Sequence, residues 1–509
     1  MSSEIRTLGR HAAIYGVGNM LAKLTIFIML QIYTRYLTPA DYGVLELTSM
    51  TLDFLAIMLG LNVSASVYRF FSAEKTQAGR DLVMSTAAVG KIGIAILIAS
   101  LGFVISPWLA QVVTPEKGHA DYFRLFFLIF IMQSAEVVPF LLCRALHRSV
   151  LVVTLNLARL LGLVSLNILF VVHFELGVRG ILISNLIVST VIALGMLRFL
   201  FRSTGVVFSR KLFLEMTRFS FPIGFVSLGN FFLIFSDRYF LNHYAGPTAV
   251  GVYALAYRFG FVLTAFIATP FQQIWAPERF QIAQRPNAQV VFRRVFLYFN
   301  VALGCMAMLI SLFVRDVLKV MATPNFWGAY AVVPLILIAQ ILHQWTAYNN
   351  LGLLLTKNTK KFAWGSAVAI PSVLLLNYLL IPRYGLWGAA IATIIAYVLR
   401  FLVIQTISQR EYRIHYDWLR IFKLYAILAS AVGIRELFGT LQIVPSVSIC
   451  IALAGAALTG IYFYVFAENE RRAIQGILHR QIEWKSLLRS TPRAEPAPPA
   501  TDREEKIAV

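Results

Sequence analysis

Arg35-Tyr-Leu-Thr-Pro-Ala-Asp-Tyr-Gly-Val-Leu-Glu-Leu47 lies between two long apolar runs, 14–33 and 44–61. Each run has about the 20 residues that a membrane-spanning helix requires. Pro39 lacks a backbone donor and disfavours helical geometry at Thr38, so the first helix should end near it. Asp41 is placed to cap the next helix, and Gly43 leaves room for a neighbour to come close. The stretch reads as a tight helical hairpin at a membrane surface.

The same turn returns 208 residues later as Tyr244-Ala-Gly-Pro-Thr-Ala-Val-Gly251. That offset carries Tyr36 to Tyr244, Pro39 to Pro247 and Gly43 to Gly251. It also carries Gly177 and Gly180 to Gly385 and Gly388. Five coincidences at one offset argue for an internal duplication of roughly two hundred residues.

Composition bounds the class. Of 509 residues, 59% are hydrophobic and only 14% charged, far from a soluble globular chain. The polar start, 1–10, leads directly into a full-length apolar run with no small-residue cleavage pattern, so that run is expected to be retained. Cys143, Cys305 and Cys450 lie far apart, which gives neither a disulfide framework nor a metal-binding spacing. No metal or cofactor is expected.

Apolar runs separated by short turns predict an all-α integral membrane protein of about fourteen spans: 11–34, 42–66, 83–106, 122–143, 150–172, 180–201, 218–241, 250–275, 292–314, 330–355, 362–381, 386–407, 421–438 and 444–467. No long extramembrane domain interrupts them, so a catalytic domain in water has no place and no enzyme is expected. With the N-terminus inside, 31 of the 45 basic residues fall on cytoplasmic segments and nine on external turns, each counted with the helix ends that flank it. That asymmetry predicts two cytoplasmic termini and accounts for most of the net charge of +21 without nucleic acid. The domains follow: a cytoplasmic N-terminus (1–10), a six-helix lobe (11–201), a cytoplasmic linker (202–217), a second six-helix lobe (218–407), two extra helices (421–467) and a basic tail (468–509). Six is even, so the lobes would be parallel repeats about an axis along the membrane normal. In the tail, 468–489 has the pattern of an interfacial helix and 490–509 the composition of a disordered segment.

Two six-helix repeats plus two helices resemble the multidrug/oligosaccharidyl-lipid/polysaccharide exporter superfamily. The opening motif, from Arg35 to Gly43, resembles its polysaccharide-transporter branch, the Wzx-type O-antigen flippases. The resemblance covers 11–407 well and 421–467 by helix count alone. It implies a V-shaped bundle in the bacterial inner membrane that moves an undecaprenyl-diphosphate-linked oligosaccharide from the inner to the outer leaflet. The implied partners are that substrate, membrane lipids and a polysaccharide polymerase or synthase.

Five basic residues remain in the interiors of the predicted spans, away from the helix ends counted above: Lys23, Lys91, Arg159, Arg258 and Arg400. A charge at a helix centre is unfavourable by about 2.5–3.5 kcal/mol or more, so it faces a cavity or a partner unless it can snorkel. Lys91 and Arg400 are placed to snorkel, and Arg159 is intermediate. Lys23 is mid-span, with Asn19 one turn before it. Arg258 follows Tyr253 and Tyr257 on span 8. The resemblance implies that spans 1 and 8 contribute to a central cavity, where these two cations would meet a diphosphate. Arginine offers a fork for phosphate oxygens and lysine a compact charge. Tyr257 and Asn230 are candidate hydrogen-bonding groups for a sugar. Glu46, Asp53, Glu136 and Asp237 also fall within spans. Each is a candidate either to pair with Lys23 or Arg258 or to take up a coupling proton. Pro222, Pro270, Pro334 and Pro371 are candidate bends.

No Gly-x-x-x-x-Gly-Lys-[Ser/Thr] motif is present, so an ion gradient or the membrane potential is the expected driver. Two other readings compete. A cation-coupled drug exporter of the same superfamily typically carries a carboxylate on its first span, where this chain has Lys23. A glycan polymerase or ligase needs a large external loop, and the longest external turn here, 107–121, is too short.

Overall fold

The computed structural model describes residues 29–58, 64–113, 119–146, 148–356, 361–438, 443–468, 470–472 and 475. The described residues form α1 (29–36), α2 (Pro39–Met58), α3 (Ser64–Ala73), α4 (Gln77–Val113), α5 (Ala120–Ala145), α6 (Ser149–Asn167) and α7 (Gly177–Thr204). After these come α8 (Arg210–Leu263), α9 (Thr269–Ile282), α10 (Ala288–Met321), α11 (Val333–Asn349), α12 (Leu351–Leu355), α13 (Phe362–Glu411), α14 (Trp418–Leu437) and α15 (Ile443–Tyr464). No strand occurs among them. Among the described residues, eight helices are long and apolar enough to cross a membrane. A ninth span is added if the pair Pro324–Ala331 and Val333–Leu355, bent by 47°, counts as one.

The α8–α9 and α13 stretches are each too long for one crossing, and both double back. Gly246 breaks α8 with φ 77°, a left-handed backbone that suits glycine. In a straight helix Asp237 and Tyr253 would be about 24 Å apart; here the Tyr253 hydroxyl donates to the Asp237 carboxylate at 2.9 Å. Gly385 (φ 52°) breaks α13, and a Cβ on Gly388 would lie 2.4 Å from the carbonyl oxygen of Leu380. Its counterpart at the 208-residue offset, Gly177, has φ 54°. Pro270 follows a π-helical segment, Thr264–Ala268, and Pro334 stands at the 47° bend. Pro371 lies within α13, whose recorded break is at Gly385.

At the opening turn, Thr38 rather than Asp41 is the helix cap. The Thr38 hydroxyl accepts from the Asp41 amide at 3.2 Å, and the Asp41 carboxylate accepts from the Thr38 amide at 3.2 Å. Pro39 occupies the first helical position, where its missing donor is harmless, so α2 starts three residues earlier than hydropathy suggests. The offset maps Thr38 onto Gly246. One turn is closed by a side-chain cap and its counterpart by a left-handed glycine.

The two turns meet reciprocally. A Cβ on Gly43 would lie 2.0 Å from the Pro247 carbonyl oxygen, and one on Gly251 would lie 1.9 Å from that of Pro39. A two-fold relation between equivalent hairpins produces this exchange. From there α2 packs along α8, through a Thr51–Tyr239 hydroxyl pair at 3.0 Å and Phe54 against Phe231 and Phe232. The last two helices are held by a buried polar cluster. Asp316 of α10 accepts from Ser446 of α15 at 2.7 Å and pairs with Arg435 of α14 at 3.5 Å. Between α10, α11 and α14 runs an apolar groove of about 770 Å³, lined by Met308, Leu337, Ile341, Trp345, Phe422 and Leu428 among others.

Candidate functional site

The α2–α8 seam buries a network of charges. Glu46 lies one turn beyond Tyr42 on α2, so both face α8. The Arg258 Nε donates to the Tyr42 hydroxyl at 3.1 Å, and its Nη2 meets the Glu46 Oε2 at 3.4 Å. Arg238, on the other limb of α8, has its Nε 4.0 Å from Glu46 Oε1 and donates to Asp237 at 2.8 Å. Its guanidinium lies 3.9 Å from the centre of the Tyr257 ring. Tyr253 and Tyr257 donate to the second oxygen of Asp237, at 2.9 and 3.4 Å.

Exposure separates the two arginines. The Arg238 side chain is 0% exposed and is enclosed by its partners, whereas that of Arg258 is 33% exposed. Arg238, with its carboxylate and rings, therefore stabilises the fold. Arg258 holds an inter-helix tie while leaving its guanidinium open to a further anion. Arg258 lies eleven residues from Pro247, about 16 Å along the helix, roughly half the hydrocarbon thickness.

Of the residues singled out in the sequence, Arg258 and Glu46 come together, as do Asp237 and Tyr257. Tyr257 is 2% exposed and bonded to Asp237, so its place is within the network. Asn230 accepts from Arg400 at 3.4 Å. Glu136 is ion-paired with Arg159 inside the first half, joining α5 to α6. Asp53 is exposed, two turns beyond Glu46, without an ion pair to any described residue. Asn19 and Lys23 lie outside the described residues. Sequence reasoning missed Tyr42 and Tyr33, whose hydroxyl accepts from Asn167 of α6 at 3.0 Å. The spacing of Tyr42 to Glu46, one turn apart, was the signal available for the first.

Residues 8–283, more than half of the chain, match the family described as polysaccharide biosynthesis protein. The chain belongs to that family. An uncharacterized membrane protein of Methanocaldococcus jannaschii, MJ1068, is 23% identical over 218 residues; the match spans 40% of each protein. Among solved structures, the lipid II flippase MurJ in an inward closed conformation superposes with a TM-score of 0.69 at 12% identity, covering 88% of this chain and 99% of that one. An inward-facing MATE multidrug resistance transporter follows at 0.60 and 15%, covering 78% and 98%. The MATE transporter VcmN of Vibrio cholerae stands at 0.54 and 17%, covering 81% and 98%. This polysaccharide biosynthesis protein is thus a multi-pass membrane protein with the fold of the multidrug/oligosaccharidyl-lipid/polysaccharide exporter superfamily.

Proposed function

We propose that the protein is a flippase that carries an undecaprenyl-diphosphate-linked oligosaccharide across the bacterial inner membrane by alternating access, with both termini in the cytoplasm. The observation that carries this reading is Arg258: a mid-membrane arginine, its side chain one-third exposed, on the seam between the two halves. A diphosphate leaving water needs fixed donors and positive charge in place of its hydration. The apolar groove between α10, α11 and α14 supplies the complementary surface for a polyprenyl chain.

The geometry suggests how binding couples to movement. Glu46 and an incoming diphosphate are competing anions for the same guanidinium. A phosphate that takes the fork displaces Glu46 from Arg258, leaves it only its longer contact with Arg238, and so weakens the tie between α2 and α8. The resulting weakening of the seam favours rearrangement of the halves, with a driving force of about 2.3 kcal/mol per charge per 100 mV from the membrane potential. A polysaccharide polymerase or synthase would consume the product on the other side.

The test is export of surface glycan, normalised to membrane abundance, in cells whose own gene is deleted. Restored export supports the reading. Accumulation of the protein in the membrane with no export, and no translocation of the lipid-linked glycan in proteoliposomes, overturns it. A cation-coupled drug exporter is the second reading, favoured by exposed Asp53, a carboxylate available to a cationic ligand. It predicts efflux of cationic drugs that is lost in Asp53→Asn while glycan export is unaffected.

A further inference from the structure

Past Arg258, the helix changes character. Thr264–Ala268 is π-helical, and the Thr269 hydroxyl donates to the Thr264 carbonyl at 3.0 Å across the widened turn. Such turns are rare and cluster at functional sites. Beside this one is a cavity of about 320 Å³, lined by Thr264, Ala268, Thr269, Gln272 and Gln273 and, from α11, Gln344. Gln340, one turn before Gln344, faces the same side and accepts from Thr264 at 3.4 Å. Every polar group lining the cavity is an uncharged amide or hydroxyl. The Gln272 Nε2 is buried with no hydrogen-bond partner among the described residues. A buried donor left unpaired is unfavourable, so its pairing with a ligand is a specific gain.

The chemistry narrows the ligand. A hard cation would want carboxylates, and an anion would want guanidinium or ammonium groups. Paired donors and acceptors without charge match the hydroxyl and N-acetyl groups of a sugar. Position agrees. Thr264 lies six residues beyond Arg258, about 9 Å along the helix. A neighbouring face of α11, with Leu337, Ile341 and Trp345, lines the apolar groove. Helix α11 therefore stands between a surface suited to a lipid tail and a pocket suited to a polyol.

We propose that the amide–hydroxyl cavity at the π turn receives sugar residues of the translocated lipid and sets which glycan is accepted. This rests on the flippase reading above. The test uses the full-length protein in nanodiscs and two probes. One is polyprenyl diphosphate without sugar; the other is the lipid-linked glycan extracted from cells lacking this gene, where it accumulates. The wild-type protein is expected to bind the glycan-bearing lipid more tightly. Gln272→Leu with Gln344→Leu should lower its affinity for the glycan-bearing lipid about tenfold and leave that for the sugar-free lipid unchanged. Gln344→Met serves as a milder replacement of similar volume, and Arg258→Ala should weaken both probes. Equal loss of both probes in the glutamine variants, or no loss of either, overturns the sugar site while the flippase reading stands. Equal binding of both probes by the wild type does the same. A wild-type protein that binds neither probe overturns the flippase reading itself.

Discussion

Arg238 and Arg258 carry the same charge on two limbs of one folded-back helix, and their surroundings give them opposite uses. Arg238 is sealed between Asp237, Glu46 and the face of Tyr257, so removing it leaves a buried carboxylate without its main counter-charge. Arg238→Ala is therefore expected to cost about 3–5 kcal/mol and to show as loss of protein from the membrane. Normal membrane levels of Arg238→Ala would mean that the network is not structural. Arg258→Ala should instead leave abundance near normal and cut glycan export roughly 10- to 100-fold, the worth of a charge-assisted bond to phosphate. Arg258→Lys should keep only part of the activity, because a point charge replaces the fork. Full export per molecule from Arg258→Ala would sink the phosphate contact. The sequence singled out Arg258 because a charge in mid-span stands out against hydropathy. It did not single out Arg238, because only the reversal at Gly246 brings Tyr253 and Tyr257 round to enclose it. Glu136 illustrates the same limit: its partner Arg159 is 23 residues away, and no local spacing joins them.

Among the elements, the hairpins at Pro39 and Pro247 are the most legible from sequence, apart from the cap, which is Thr38 and not Asp41. Proline, aromatic and glycine recur at one offset, and the reciprocal contact of Gly43 and Gly251 supplies the reason for both glycines. Any side chain at either position must push a carbonyl of the opposite turn away. Gly43→Ala and Gly251→Ala are each expected to lower the thermal unfolding midpoint of the purified protein by several degrees, and by similar amounts. Gly93→Ala is the control. Nothing lies within 4 Å of its added Cβ, and alanine is the better helix former, so the midpoint should hold or rise slightly. A midpoint unchanged by Gly43→Ala would show that the two turns do not touch. Other elements were less legible. Hydropathy counts apolar residues, and it cannot see that α4 continues to Val113 or that a π turn interrupts the run after Leu263. The attachment of α14 and α15 was equally hidden, because Asp316 is distant in sequence from Arg435 and Ser446. Asp316→Ala and Arg435→Ala should each reduce membrane abundance, and Asp316→Leu combined with Arg435→Leu should recover part of it, since paired removal leaves no buried charge.

At the scale of the whole molecule, one duplicated hairpin accounts for the shape of the seam, and two additions account for its use. The halves meet through equivalent turns, with a basic group poised on the seam, and α14 closes an apolar groove with α10 and α11. Such a pairing suits a substrate with a charged centre and one long apolar tail. What fixes the direction of transport is orientation, and that was read from charge alone: 31 basic residues on one set of loops and nine on the other. Positive loops remain on the cytoplasmic side, so the turn carrying Tyr36 should be external and the turn carrying Lys361 cytoplasmic. Both positions are exposed; Tyr36 lies outside the Thr38–Asp41 cap, and replacing Lys361 gives up a single surface ion pair with Glu411, of small worth. With Cys143, Cys305 and Cys450 replaced, Tyr36→Cys should react with a membrane-impermeant thiol reagent on intact cells. Lys361→Cys should react only after the membrane is opened. Reaction of Lys361→Cys alone in intact cells would invert the orientation and make the Pro39/Pro247 end the cytoplasmic one. The Arg258–Glu46 tie would then close the inner side of the path, and a substrate arriving from the cytoplasm would meet the tie before the cavity.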